Sequence, residues 1–173
     1  MPIKGPSYVK TTWAFQERPV PSAKLNAWDD RIEAALELAY RLLALVWGGG
    51  DGVIRNAEND SLQVLARASP GLAVVVRPGF AFIDGMPFWL AEETETVDVD
   101  AAVTLPRIDL VQASLAEWTV TIKTGTAAAE PVAPAPDSDC LALAHLYLPG
   151  GGTVIKNADD GTNGYIIDQR TFV

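Results

Sequence analysis

The chain holds a single cysteine, Cys140, and a single histidine, His145, so it has little of the side chains most used in metal centres and nucleophilic catalysis. One cysteine cannot form an intramolecular disulfide, so stability does not come from an oxidising compartment. It precedes the apolar run Leu141-Ala142-Leu143-Ala144, where a buried, inert thiol is expected. One histidine removes multi-histidine metal sites and weakens any Ser-His-Asp arrangement. Alternation along Ala144-His145-Leu146-Tyr147 turns it away from Ala144 and Leu146, as for a histidine on a strand surface. GxSxG, Walker A, GxGxxG and HExxH are all missing. Long apolar runs are missing too. The longest, Leu42 to Trp47, falls far short of the roughly 20 residues a membrane-spanning helix needs. The opening Met1-Pro2-Ile3-Lys4-Gly5-Pro6 lacks the apolar core of a signal peptide, so a soluble protein made in a cytoplasm is expected. Basic residues are few, 13 against 22 acidic, for a net charge of -9. No Lys/Arg cluster reverses that field locally, which excludes nucleic-acid binding. The same acidity keeps an abundant protein soluble.

Hydrophobic residues make up 49% and charged residues 20%, values of a globular chain rather than a disordered one. The 173 residues suit one compact domain with an appended element. Three regions separate. Residues 1–21 are rich in Pro, Lys and Thr and show no period, so they read as an extended arm. Tyr8, Trp13 and Phe15 give that arm apolar area that favours docking on another surface.

Residues 22–47 read as a helix, with Pro21-Ser22 as the cap and Gly48-Gly49-Gly50 as the stop. Leu25, Trp28, Ile32, Ala35, Ala39, Leu42 and Val46 follow one another at alternating spacings of three and four. That is the seam of a coiled coil held for about three heptads, and it marks a candidate oligomer interface. Leu36 and Leu43 widen the stripe, a feature that also suits a helix packed on its own domain.

Residues 51–173 read as an antiparallel β-sandwich or barrel, because short β-rich runs alternate with Gly/Pro turns. Runs at Leu62–Ala66, Leu72–Val76, Phe80–Ile83, Met86–Leu90, Thr94–Val99, Ile108–Leu115, Trp118–Lys123 and Cys140–Leu148 are the expected strands. Asp84-Gly85 marks a two-residue hairpin. The Ala/Pro-rich stretch from Thr124 to Asp139 is expected to cross the domain surface in extended form and join two strands. The absence of βαβ alternation excludes a nucleotide-binding α/β sheet.

Two acidic features could carry chemistry. Glu92, Glu93, Glu95, Asp98 and Asp100 resemble a carboxylate pair in composition, but a charged edge strand accounts for them. Asn157 to Gly164 is rich in oxygen ligands without EF-hand spacing, as ordinary Asx/Gly turns are. No catalytic residue, cofactor site or metal site is expected.

Four stretches, in order, resemble a module of tail-fibre, baseplate and minor tail proteins of long-tailed bacteriophages. Pro78-Gly79-Phe80-Ala81-Phe82-Ile83-Asp84-Gly85 is similar to its PGxAxxxG hairpin, and Leu105-Pro106-Arg107-Ile108-Asp109-Leu110-Val111 to its PRIDxVV strand. Lys123-Thr124-Gly125-Thr126-Ala127-Ala128 with Pro131-Val132-Ala133-Pro134 is similar to its KxGTPAxxPxxP crossing, although Ala127 replaces that proline. Leu141-Ala142-Leu143-Ala144 with Leu146-Tyr147-Leu148-Pro149-Gly150-Gly151, then Ile167-Asp168-Gln169-Arg170, resembles LAxVxVPAG…ITDxR. Leu25-Asn26…Asp30-Arg31-Ile32 is similar to the openings of phage fibre subunits.

The resemblance implies a non-enzymatic structural protein of the virion, assembled in the host cytoplasm. It also implies homotrimers that contact other phage structural proteins. Stopping at Val173, the chain is expected to be an adaptor, plug or small spike rather than a whole fibre. Two alternatives stand beside this one. One is a module that binds a host-surface glycan through aromatics near Trp89 or Trp118, and the other is a capsid decoration or head-fibre protein.

Overall fold

The computed structural model describes residues 22–46, 50–91, 95–101 and 104–173. The chain divides into two units, Met1–Gly49 and Gly50–Val173. In the first, the described residues form one helix, α1 (Ser22–Val46). Alanine, leucine, glutamate and arginine dominate it, all strong helix formers. Trp47, the last residue of the expected helix, lies outside the described residues, as does the whole arm with Tyr8, Trp13 and Phe15.

The second unit is built of strands, so the chain as a whole is mainly β. The first are β1 (Gly52–Val53), β2 (Val64–Ala66), β3 (Ala73–Val76), β4 (Gly79–Ile83), β5 (Met86–Leu90) and β6 (Glu95–Asp98). They are followed by β7 (Arg107–Ser114), β8 (Thr119–Lys123), β9 (Cys140–Leu148), β10 (Ile155–Lys156) and β11 (Gly164–Asp168). They form three sheets, ordered β1-β4-β5, β2-β3-β6 and β10-β11-β9-β7-β8. Val53, Leu62, Val74, Val76, Ile83, Phe88, Val111, Leu143 and Leu146 are among the buried residues that join strands of all three sheets in one core.

The β4–β5 hairpin forms as expected, with Asp84 at φ 49° and Gly85 at φ 71°. Two successive positive φ values define the type I′ turn, whose twist matches that of paired strands. The backbone N–H of Asp84 donates to Asp51 Oδ1 at 2.7 Å, which ties the turn to the start of the unit.

Alternation along β9 changes phase halfway. Leu141 and Leu143 are buried, and then Ala144, Leu146 and Leu148. The cause is a β-bulge. Val111 of β7 faces Ala144 and Gln112 faces Ala142, which leaves Leu143 as the extra residue. His145 and Tyr147 consequently point away from the core.

The structure corrects four details. Leu62 and Trp118, expected in strands, occupy turns with φ 53° and 51°. The third is that the β-unit is not wholly antiparallel, because β10 pairs with β11 in parallel. A parallel neighbour normally needs a long crossover, but strands of two residues require a return of only about 7 Å. The fourth is the Cys140 thiol, which is half-buried because its residue opens β9 at the sheet margin.

The Thr124–Asp139 stretch joins β8 to β9 outside any strand and is fixed to β7 at both ends. At one end Asp109, fully buried, takes a two-pronged contact from Arg107, with Nε to Oδ1 at 2.9 Å and Nη2 to Oδ2 at 3.0 Å. The Gly125 N–H donates to the same carboxylate at 2.8 Å. Only glycine fits there, since a Cβ would lie 2.0 Å from the Ile108 carbonyl oxygen. At the other end the buried Gln112 side chain donates to Asp137 Oδ2 at 2.7 Å and accepts its backbone N–H at 3.1 Å. Truncating Asp109 to alanine therefore strands a mostly buried guanidinium and orphans the Gly125 N–H. The expected loss is about 3–5 kcal/mol, read as a lower urea midpoint for the full chain.

Candidate oligomerisation surface

Helix α1 is 25 residues long, about 37 Å, which limits any supercoil to about three heptads. All seven seam residues lie on its exposed surface: Leu25, Trp28, Ile32, Ala35, Ala39, Leu42 and Val46. Leu36, Leu43 and Leu45 are exposed beside them. From residue 35 onward this gives a broad apolar face rather than a narrow line. Glu37 and Arg41 form an i,i+4 ion pair at 3.1 Å, at heptad positions away from the seam. The first turn carries no acid and the last no base, so side-chain charge does not stabilise the helix ends. In proteins most helical stability comes from packing of an apolar face rather than from propensity.

The aromatics near the expected glycan surface lie in two places. Trp89 is 55% exposed and stacks on its cross-strand partner Phe80, with ring centres 5.6 Å apart and planes within 2°. Trp118 is similarly exposed and lies 6.4 Å from the Phe88 ring, covering a fully buried core side chain. One face of each ring is thus occupied by the protein itself.

Of the acidic run, Glu92 and Glu93 lie outside the described residues, and Asp98 is exposed on β6, an edge strand. The Asp100 carbonyl accepts from the Arg107 guanidinium, and Asp109, which the sequence did not single out, is the carboxylate at the heart of the fold. His145 stands between Leu110 and Ile167 in the sheet register. Burial pushes its imidazole below the ordinary value, so it is neutral at pH 7. Burial likewise pushes the Cys140 thiol up and suppresses the thiolate.

In the 157–164 turn, Asp160 accepts the backbone N–H groups of Thr162 and Asn163 at 3.0 and 2.8 Å, and Asn163 Nδ2 at 2.8 Å. These donors use the carboxylate as a turn cap. Among the described residues no group of three or more His, Cys, Asp or Glu side chains could hold a metal ion. No helix among them is long and apolar enough to cross a membrane. Tyr147 and Tyr165, not singled out by the sequence, are cross-strand partners whose rings stack at 5.1 Å. Alternation in β9 was the available signal for Tyr147, whereas β11 had no strand pattern to place Tyr165.

No family model matches the chain, and no curated protein or solved structure matches it either.

The donors on Asp160 hold its carboxyl well below the ordinary 3.8, at about 2. A depressed acid contributes stability that is complete above 3.8 and lost as pH falls through about 2. Carboxyl NMR titration of the folded chain should show Asp160 protonating near 2, with the amide signals of Thr162 and Asn163 shifting in step.

Proposed function

We propose that the chain is a non-enzymatic structural subunit of a bacteriophage particle, in the tail, the baseplate or a fibre adaptor. In this reading it self-associates through helix α1 and docks through its N-terminal segment. The observation that carries the proposal is the helix face, where seven residues at alternating three- and four-residue spacing are all exposed. Such a face needs an apolar partner of the same period, and a second copy of the chain supplies one. Burying each large side chain of the seam contributes roughly 1.5–3 kcal/mol.

The breadth of the face favours three copies over two. Leu36, Leu43 and Leu45 flank the seam on both sides, so each helix can contact two neighbours at once. The net charge of -9 supports a subunit kept soluble until it assembles. The phage assignment is supported by the four ordered motifs between residues 72 and 170. Their least replaceable residues, Arg107, Asp109 and Gly125, meet in one buried network. Partners in the particle would be further copies and other structural proteins of the virion.

Two experiments test the reading. Ile32→Asp places a charge in the middle of the seam and should give a monomer by sedimentation velocity, with an unchanged β-sheet circular dichroism signal. An unchanged mass would refute self-association through α1. Deleting residues 2–20 removes Tyr8, Trp13 and Phe15, and the remaining protein should stay folded and soluble but fail to enter particles. Normal incorporation would place docking elsewhere.

A further inference from the structure

Beside the turn capped by Asp160 lies a cleft of about 320 Å³, lined by Tyr147, Pro149, Asp159, Gly161, Thr162, Asn163 and Tyr165. One side is aromatic, with the two stacked tyrosines both half-buried and Pro149 beyond them. The rest of the lining is polar. Among the described residues, the hydroxyls of Tyr147, Tyr165 and Thr162 make no hydrogen bond. Asn163 commits its Nδ2 to Asp160, while its amide oxygen accepts nothing among those residues. The cleft thus offers an apolar plane next to several uncommitted hydroxyl and amide groups.

The scaffold is fixed before any ligand arrives. Three donors on Asp160 and the Gly161 N–H on Asp159, at 2.8 Å, set the turn. Register holds Tyr165 opposite Tyr147 on one side and beside Lys156 on the other. A site that is already ordered loses little entropy on binding, which matters most for a small ligand.

We propose that this cleft binds a neutral saccharide, at the scale of one or two sugar rings. A pyranose has one face of C–H groups, which suits the electron-rich face of a tyrosine, and a rim of hydroxyls that both donate and accept. The volume lies at the lower end of small-molecule sites, too small for a folded partner. Asp159 in the lining, together with the overall negative charge, disfavours uronates, sialic acids and sugar phosphates. The site is built wholly from the β-unit, so it does not depend on the reading of helix α1. In an oligomer, weak sites repeated on each copy would combine into firm attachment to a polysaccharide surface.

Saturation-transfer NMR of the full chain provides the test. The probes are methyl α-glucoside, methyl α-mannoside, methyl β-galactoside and N-acetylglucosamine, with glucuronate as the anionic control. At least one neutral sugar should bind with a Kd on the order of 1 mM, and glucuronate should not. Tyr147→Ala should weaken that binding about tenfold or more. Thr162→Arg fills the cleft from an exposed turn without touching the core, and it should abolish binding while near-UV circular dichroism is unchanged. Trp89→Ala should leave binding intact. The proposal fails if no neutral sugar binds by about 10 mM. It also fails if glucuronate binds as well, if Thr162→Arg leaves Kd unchanged, or if Trp89→Ala removes binding.

Discussion

The β-unit depends on one buried carboxylate. Asp109 lies near the start of β7 in the largest sheet with no exposure to water, and an ionised group so placed costs several kcal/mol unless it is fully partnered. The network around it draws on three separate parts of the chain. Arg107 approaches from the same strand, the Gly125 N–H from the surface crossing, and Arg107 in turn holds the carbonyls of Asp100 and Ala101. One charge thereby sets the end of the β6 connection, the strand β7 and the start of the crossing. A second pair of similar design closes the far side. Arg170, almost fully buried, grips Asp168 with two nitrogens and donates to the carbonyls of Asn59 and Ser61. In both pairs the partners are two residues apart, and for Arg107 and Asp109 that spacing puts both side chains on one face of β7.

Helix α1 follows a different logic. Its geometry comes from residue propensity, but its apolar face has no counterpart within its own described unit. The β-unit by contrast encloses a core drawn from all its sheets. The β-unit is therefore complete in itself, whereas under the proposed self-association the helix would be completed by further copies.

Much of this was legible in the sequence. The helix start, the β4–β5 turn and both limits of β9 follow from cap, turn and alternation signals that act over a few residues. The extent of α1 is local too, since the apolar spacing from Leu25 to Val46 is helical. What could not be read depends on residues far apart in the chain. The two-residue strands β1 and β10 have no periodicity and exist only because β4 and β11 lie beside them. The bulge at Leu143 is visible only against β7. Asp109 looked like one polar residue in a strand until its partners were in place. The stacked tyrosines escaped for the same reason, since their pairing requires the β9–β11 register.

One link in the β-unit bears on the order in which it can fold. The Val53 N–H donates to the Thr171 carbonyl at 2.7 Å, and the Val173 N–H returns to the Val53 carbonyl at 3.1 Å. The first strand of the unit is thus clamped by its last residues, and Arg170 adds its hold on Asn59 and Ser61. During synthesis, residues 22–46 leave the ribosome well over a hundred residues before that clamp can form, whereas a helix needs only local contacts. The helix can consequently form while its own β-unit is still open. Under the proposed self-association, copies translated side by side on one messenger would meet through α1 before their β-units close.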